Sequence, residues 1–356
     1  MRLLLLNQYG TATGAPTGRI LAELGSELQR LGHEIVFLEA DASYGKSRRG
    51  WRRIAHELGV HAALWARGAG CGRVDAVISL SSPACLAVTA GSIAKLHGAR
   101  HFHWAMDLYP EVGVMGRELS EGALSRFLTR LMGGAYRQAR RVVALDEDMR
   151  EHLRRTYDVD AVVMEPFPPE VEWTVPSPGP ARRWLYSGNL GRAHEIEALL
   201  RTQKKLEERT ADAELVLQGQ GAQFGPSREA ARLLGLKRVR WLPPAPAETL
   251  GRSLLEADAL VVTRKPAMKG LLLPSKLMLA ELSGRPILWI GDTDGFTAAR
   301  LKKAGHGVFG PEETEAIAAW LEQALSRGSS EPASPRPTRV CREQCVATWN
   351  ALLQEQ

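Results

Sequence analysis

The 356 residues exceed one ordinary domain, and 44% hydrophobic with 24% charged content is enough to bury two cores. The net charge of +6 is small for this length, and no helix-turn-helix, RNP or zinc-finger pattern accompanies it, which argues against a nucleic-acid partner. Apolar-rich runs such as those at 3–6, 257–263 and 270–274 fall far short of the roughly 20 residues of a membrane span. The leucines at 3–6 have no cleavage pattern behind them, so they read as a buried first strand and not as a signal peptide. Cys71, Cys85, Cys341 and Cys345 form no paired CxxC modules. They read as reduced thiols packed as small hydrophobes in a cytosolic protein. The densest basic run gathers Lys46, Arg48, Arg49, Arg52 and Arg53 around Trp51. Two readings stand for it: a contact with an anionic membrane face or phosphorylated lipid, or a solvated loop leading into a helix.

In chain order, short β-rich runs alternate with helical stretches, the pattern of parallel sheets with crossover helices. Residues 2–7 predict a buried strand, 17–31 an amphipathic helix closed by Gly32, and 34–38 a second strand. Strands follow at 76–79, 100–106 and 141–145, with a long helix over 121–140. A doubly wound unit is complete by about residue 165. The proline-dense stretch 166–180 cannot sustain a helix or a central strand and reads as a linker. The alternation then restarts, with strands at 184–187, 214–218, 239–242, 259–263 and 287–290 and helices at 194–208 and 228–234. A polar stretch at 326–339 precedes a closing helix over 340–353.

Three segments carry the chemistry. The first runs from Asn7 through Gly10 and Gly14 to Thr17 and Gly18, from a strand into a helix whose N-terminus offers N–H groups to an anion. Its spacing is not GxGxxG. It reads as a loop facing an interdomain cleft or as a structural strand-to-helix turn. The second, 184–195, is again strand, glycine-rich loop and helix; the amides of Ser187 to Gly191 suit a phosphate, and Arg192 suits the charge of a departing diphosphate. His194 stands at the mouth of that loop, either as a packing or capping residue or as a substrate contact. The third, 262–277, gathers Arg264, Lys265, Lys269 and Lys276 where a strand ends, with a helix expected to start near Pro274. Ser275 and Lys276 would then present N–H groups and an ammonium at a positive helix end, an arrangement suited to pyrophosphate. A solvated basic loop is the alternative.

YSGNLGRAHEIEALL, followed by GLLLPSKLMLAELSGRPIL, resembles the retaining glycosyltransferase family 4, in the PSK-type subgroup of bacterial enzymes that build cell-surface glycans. The first half agrees: NQY and TG open a helix that ends LGHEIVFL, then come WAMDLYPEV and RRVVALDEDMREHL. The resemblance implies the GT-B fold: two doubly wound Rossmann-like domains facing across a cleft, with a C-terminal helix returning to the first. It divides the chain into an acceptor domain at 1–165, a linker at 166–180, a nucleotide-sugar domain at 181–339 and the returning helix at 340–356. It also implies a cytoplasmic enzyme, at the inner membrane face if the basic run binds lipid. The donor would be a nucleoside-diphosphate sugar, often UDP-linked, with no metal or other cofactor. Gly188 and Asn189 would lie near the diphosphate and donor sugar, Gln218 and Gly219 would line the nucleoside pocket, and Pro274, Ser275, Lys276 and Leu277 would meet the phosphates. Asp107 and the Gly14 to Gly18 loop would face the donor from the acceptor domain.

This chain departs from the family pattern at two places. The E-x7-E motif places its first Glu at Lys269 and its second at Leu277, or at Leu279 by PSK spacing, with Glu281 the nearest carboxylate. Lys269 reverses the charge where a sugar hydroxyl is normally held, which leaves open an acidic donor sugar, another binding mode or lost activity. The turn Met164-Glu165-Pro166-Phe167 also lacks the usual Asn. The expected mechanism stabilises the departing diphosphate with Arg192, Lys276 and the helix opened by Pro274, while Asp107 orients acceptor or donor. Two alternatives remain: a GT-B nucleotide-sugar epimerase, which needs several carboxylates, and a catalytically silent nucleotide-sugar-binding subunit.

Overall fold

A computed structural model describes residues 1–10, 15–40, 51–174, 182–328 and 335–355, without the side chains of 51–54 and 327–328. The linker residues 175–180, Gly14 and the basic residues Lys46, Arg48 and Arg49 thus lie outside the described residues, as do the side chains of Trp51, Arg52 and Arg53. The chain divides into two compact units. The first comprises Met1–Pro169, Gly270–Leu273 and Cys341–Gln356; the second comprises Glu170–Lys269 and Pro274–Val340.

The first unit contains β1 (Arg2–Asn7), α1 (Pro16–Arg30), β2 (Glu34–Glu39), α2 (Trp51–Ala69), β3 (Ala76–Ser79), α3 (Leu86–His97) and β4 (Arg100–Trp104). These are followed by α4 (Glu111–Met115), α5 (Ala123–Gln138), β5 (Arg141–Ala144), α6 (Glu147–Tyr157) and the short β6 (Val162–Val163). Its sheet runs β2-β1-β3-β4-β5-β6, with every pairing parallel. Leu3 to Leu6 and Ala76 to Ser79 are completely buried. That is why these strands show no polar alternation: a parallel strand is covered on both faces. The strand expected over 100–106 stops at Trp104, because the N–H groups of Met106 and Asp107 turn to the Ser81 hydroxyl at 2.9 and 3.3 Å.

The second unit contains β7 (Arg183–Asn189), α7 (Glu197–Glu208), β8 (Glu214–Gln220), α8 (Phe224–Leu233), β9 (Val239–Leu242), α9 (Ala247–Leu255) and β10 (Ala259–Thr263). Then come α10 (Lys276–Ser283), β11 (Ile287–Ile290), α11 (Phe296–Lys303), β12 (Gly307–Phe309) and α12 (Thr314–Gly328). The strand order β12-β11-β10-β7-β8-β9 is that of a Rossmann sheet, again all parallel. Trp184, Leu199, Leu215 and Leu288 anchor its core. The helix expected from residue 194 begins only at Glu197, because His194 and Glu195 bond to Thr263 instead of entering the first turn.

The closing helix α13 (Arg339–Gln354) belongs to the first unit apart from its first turn. It buries Cys345, Val346, Trp349, Leu352 and Leu353. The Trp349 ring meets Trp104 edge-on at 5.4 Å and Phe102 at 6.3 Å, and Arg100 donates to the carbonyls of Leu353 (2.8 Å) and Glu355 (2.7 Å) at the helix's C-terminal end. A cation at that end also complements the helix dipole. Truncating a fully buried aromatic costs about 3–5 kcal/mol, so Trp349→Ala should lower stability by that amount in a denaturant titration. A loss under about 1 kcal/mol, the scale of a weak surface contact, would show that α13 is an accessory and not part of the first core.

Candidate active site

In the second sheet the chain goes outward from β7 to β8 and β9, then returns to the other side of β7 to lay down β10. The order thus reverses between β7 and β10, and the carboxyl ends of strands at such a reversal are where open α/β sheets bind ligands. β7 and β8 pair in register to their last residues, with Gly188 opposite Gly219. Both glycines have positive φ, 136° and 149°. A Cβ on Gly219 would overlap the Gly188 carbonyl oxygen, so only glycine fits there. A Cβ on Gly188 would stand 3.1 Å from Lys276 Cε. The bare backbone of Gly188 is what lets this lysine lie against the strand end.

Lys276 is the first residue of α10 and reaches His194, whose Nε2 lies 3.2 Å from its Nζ. The ammonium also sits over the Tyr186 ring, 4.7 Å from its centroid, and among the described residues it meets no carboxylate. His194 Nδ1 lies 2.7 Å from the Thr263 carbonyl oxygen, an atom that can only accept, so Nδ1 carries the hydrogen and Nε2 is the acceptor for Lys276. The two groups share one low-dielectric place. Burial pushes the imidazole down to about 3, with the Lys276 charge as a second cause, and removal from water pulls Lys276 down to about 7. Gln218 is held from both sides: its Oε1 accepts from the hydroxyls of Ser187 (3.1 Å) and Ser253 (2.9 Å). The Leu190 N–H on the Gln220 carbonyl (2.6 Å) and the Gln223 N–H on the Leu190 carbonyl (3.0 Å) pin the loop after β7 to the end of β8.

The first sheet also reverses direction, between β1 and β3. There Asn7 Nδ2 donates to the Tyr9 carbonyl (2.9 Å) and to Thr17 Oγ1 (3.4 Å), and Gly18 is buried in the first turn of α1. The Ser81 hydroxyl accepts the Asp107 N–H, and Asp107 makes an isolated antiparallel bridge with Leu272. The next residue repeats the link: the Leu108 N–H donates to the Leu271 carbonyl at 2.9 Å. Segment Gly270–Leu273 thus lies against the strand end that carries Asp107, within the first unit. Burial pushes the Asp107 carboxyl up to about 6.

Residues 17–170 match the family described as "Glycosyl transferase 4-like domain". Beyond it, the fold of the whole chain is that of solved GT-B glycosyltransferases. The apo lipopolysaccharide outer core galactosyltransferase WaaB is 15% identical, with 99% of each chain covered and a TM-score of 0.62. Sucrose-phosphate synthase from Thermosynechococcus elongatus is 13% identical, covering 99% of this chain and 96% of its own, with a TM-score of 0.69. HepE from Anabaena, solved in complex with UDP, is 12% identical, covering 99% and 100%, with a TM-score of 0.65. No curated protein matches at the level of sequence.

The matched stretch 17–170 includes Asp107, Thr17 and Gly18. In the second unit, Gly188, Gly219, His194 and Lys276 come together as described, with Asn189 exposed at the end of β7, Pro274 buried and Ser275 exposed before α10. Arg192 is exposed in the turn before α7. Leu277 is completely buried, and its N–H donates to the Pro274 carbonyl at 3.0 Å, so neither its side chain nor its amide is turned to a phosphate.

The basic cluster read from the sequence needs a larger correction. Arg264 is completely buried against Asp292 (Nη2 to Oδ1, 2.7 Å) and over the Trp289 ring at 5.0 Å; it is a core cation, not a ligand arm. Lys269 pairs with Asp294 at 3.0 Å, and Glu281 with Arg300 at 3.2 Å. Sequence reading marked the segments that hold Tyr186, Ser187 and Thr263 but missed their side-chain roles, and it missed Ser253 altogether; these groups hold Lys276, Gln218 and His194. Each role depends on a partner from another part of the chain, which no local pattern marks. A cavity of about 400 Å³ on the α8–β9 edge, lined by Arg228, Arg232, Leu236 and Trp241 among others, shares no lining residue with this mouth. Among the described residues no three His, Cys, Asp or Glu side chains gather as a metal site.

The two aspartates of the 292–294 stretch should separate cleanly. Asp292→Ala removes the carboxylate that the buried Arg264 guanidinium faces and should cost about 3–5 kcal/mol. Asp294→Ala breaks an exposed pair and should cost under about 1 kcal/mol. Chemical denaturation of both variants checks this; equal losses would mean that Arg264 is not the buried partner of Asp292.

Proposed function

We propose that the protein transfers a glycosyl group from a nucleoside-diphosphate sugar, UDP-linked, to a glycan, lipid-linked or small-molecule hydroxyl, with retention of configuration and without a metal ion. The observation that carries the reading is the half-buried Lys276 ammonium beside Gly188 at the carboxyl end of β7, with no carboxylate paired to it among the described residues. A partly desolvated cation without a counterion is a place for an anion. The diphosphate lies along Gly188 and Asn189, with Lys276, Arg192 and the amide end of α10 around it. The nucleoside lies along Gln218 and Gly219. As the bond from the anomeric carbon to the diphosphate oxygen breaks, the electron pair leaves on the diphosphate, and the acceptor hydroxyl oxygen bonds to the same face of that carbon while its proton passes to the departing diphosphate oxygen. Stabilising the leaving charge is the main contribution of the protein. Asp107 orients the acceptor hydroxyl or the donor sugar. HepE has been solved with UDP and with UDP-glucose, which supports this donor class, and WaaB is a lipopolysaccharide outer core galactosyltransferase, which supports a cell-surface glycan acceptor.

The epimerase alternative needs carboxylates poised for proton transfer. Glu281, Asp292 and Asp294 are each tied to a cation, which disfavours it. Lys269, the residue that kept a silent subunit in view, has its charge matched by Asp294.

Incubation with a panel of nucleotide sugars should release free nucleotide, slowly alone and faster with acceptor extract. Removing one donor to the leaving charge costs on the order of 100-fold or more in rate, so Lys276→Ala should lose that much turnover while its melting transition is kept. Turnover near wild type in that variant would place the diphosphate elsewhere. Interconversion of sugars without transfer would favour the epimerase.

Among the described residues no helix is long and apolar enough to cross a membrane. The Lys46 to Arg53 run is proposed as a contact with the anionic inner face of the cytoplasmic membrane. The full chain should co-sediment with phosphatidylglycerol vesicles, and replacing the five basic residues by Gln should abolish this; unchanged sedimentation rejects the contact.

A further inference from the structure

Lys276 is held by two neutral groups. The imidazole of His194 offers its Nε2 lone pair because its Nδ1 hydrogen is committed to the Thr263 carbonyl, and the Tyr186 ring lies beneath the ammonium. His194 itself is half-buried, its ring edge-on to Tyr186 at 5.8 Å. A lysine gripped in this way has a fixed direction but, among the described residues, no carboxylate to pair its charge. We infer that His194 and Thr263 are positioning residues that aim Lys276 at the backbone of Gly188, and that a nucleoside diphosphate binds there with uptake of one proton by the Lys276 amine.

The inference rests on the donor site proposed above and adds to it the protonation state of that site and the role of His194. The surroundings make the proton step follow. The titratable groups facing Lys276 are Tyr186 on β7 and His194 ahead of α7. Behind His194 stand Lys265 at the end of β10 and Glu195, and Lys265 adds positive charge, which disfavours a second cation. On α10 itself the nearest carboxylate, Glu281, pairs with Arg300. Enclosure without a counterion lowers Lys276 to about 7, so above that pH the empty site holds largely the free amine. A diphosphate against the amine favours the ammonium and raises its pKa. The sign follows: below about 7 the lysine is already charged and binding takes up little. Between that value and the pKa of the complex, binding takes up nearly one proton, and affinity falls as pH rises, by about tenfold per pH unit for one linked proton. His194 contributes no proton of its own, since it stays neutral far below this window.

The test is calorimetric titration of the full chain with UDP at pH 8 in buffers of differing ionisation enthalpy. A terminal phosphate is then fully ionised, because its second pKa is about 6. The expected result is uptake of about one proton and a dissociation constant that weakens about tenfold per pH unit from 8 to 9. Lys276→Arg keeps its charge throughout, because a guanidinium does not titrate in this range; it should bind UDP with no proton uptake and a flat pH profile. His194→Leu removes the acceptor that aims the amine and should weaken UDP binding about tenfold, the scale of one hydrogen bond to a charged group. His194→Gln, which returns an acceptor, should recover most of that loss. A purely structural histidine would show no such rescue and no change in binding at equal melting temperature. UDP heat without proton uptake in the wild type, or a pH-dependent Lys276→Arg, overturns the inference and leaves the donor site standing. Absence of UDP heat in every form overturns the donor site itself, and the inference with it.

Discussion

Taking an ammonium out of water costs several kcal/mol unless a counterion goes with it, and Lys276 goes without one among the described residues. Its neighbours are arranged to tolerate this without neutralising it. The Thr263 carbonyl fixes the tautomer of His194, His194 offers a lone pair, and Tyr186 offers the negative face of its ring. Each depends on the sheet order, because Tyr186 stands in the middle of β7, Thr263 ends β10, and these two strands are neighbours only because the chain reverses direction between them. The glycines at 188 and 219 complete the arrangement by letting the ends of β7 and β8 approach without side chains in the way.

Arg264 shows the opposite solution to the same electrostatic problem. It lies a few residues upstream on the chain, is more deeply buried, and carries its counterion with it in Asp292. Such a pair is weak support for stability, but removing one partner is costly. Two cations close in sequence thus serve different ends: one is closed inside the core, and the other is left open to a ligand. In the first unit the Asp107 carboxyl is raised by burial rather than by a like charge, and backbone bonds from Leu271 and Leu272 fix the strand end on which it sits.

Much of the fold was legible in the residues. The uninterrupted apolar strands at 2–7, 76–79, 259–263 and 287–290 could belong only to sheets covered on both faces, and they match β1, β3, β10 and β11. Strand and helix ends were less legible, because distant groups set them. Thr263 delays the start of α7, and the Ser81 hydroxyl ends β4. At the candidate site, the glycine-rich turn after β7 and the Pro-Ser-Lys start of α10 stood out through local composition. Their partners did not, because a serine or threonine that holds a side chain 69 residues away leaves no periodic trace.

The amino-acid order by itself determined the two α/β units, the alternation that makes their strands parallel, the closing helix and the segments rich in glycine and lysine, because these follow from hydrophobic period and backbone freedom. It could not say which lysines and arginines are open to a ligand. Arg264, Lys269 and Lys276 look alike in one dimension. Only the folded chain brings Asp292 to the first, Asp294 to the second and a neutral imidazole to the third. The charge available to a ligand is set by the groups that tertiary contacts bring within a few ångströms, and Coulomb energies at that range outweigh anything the local sequence encodes.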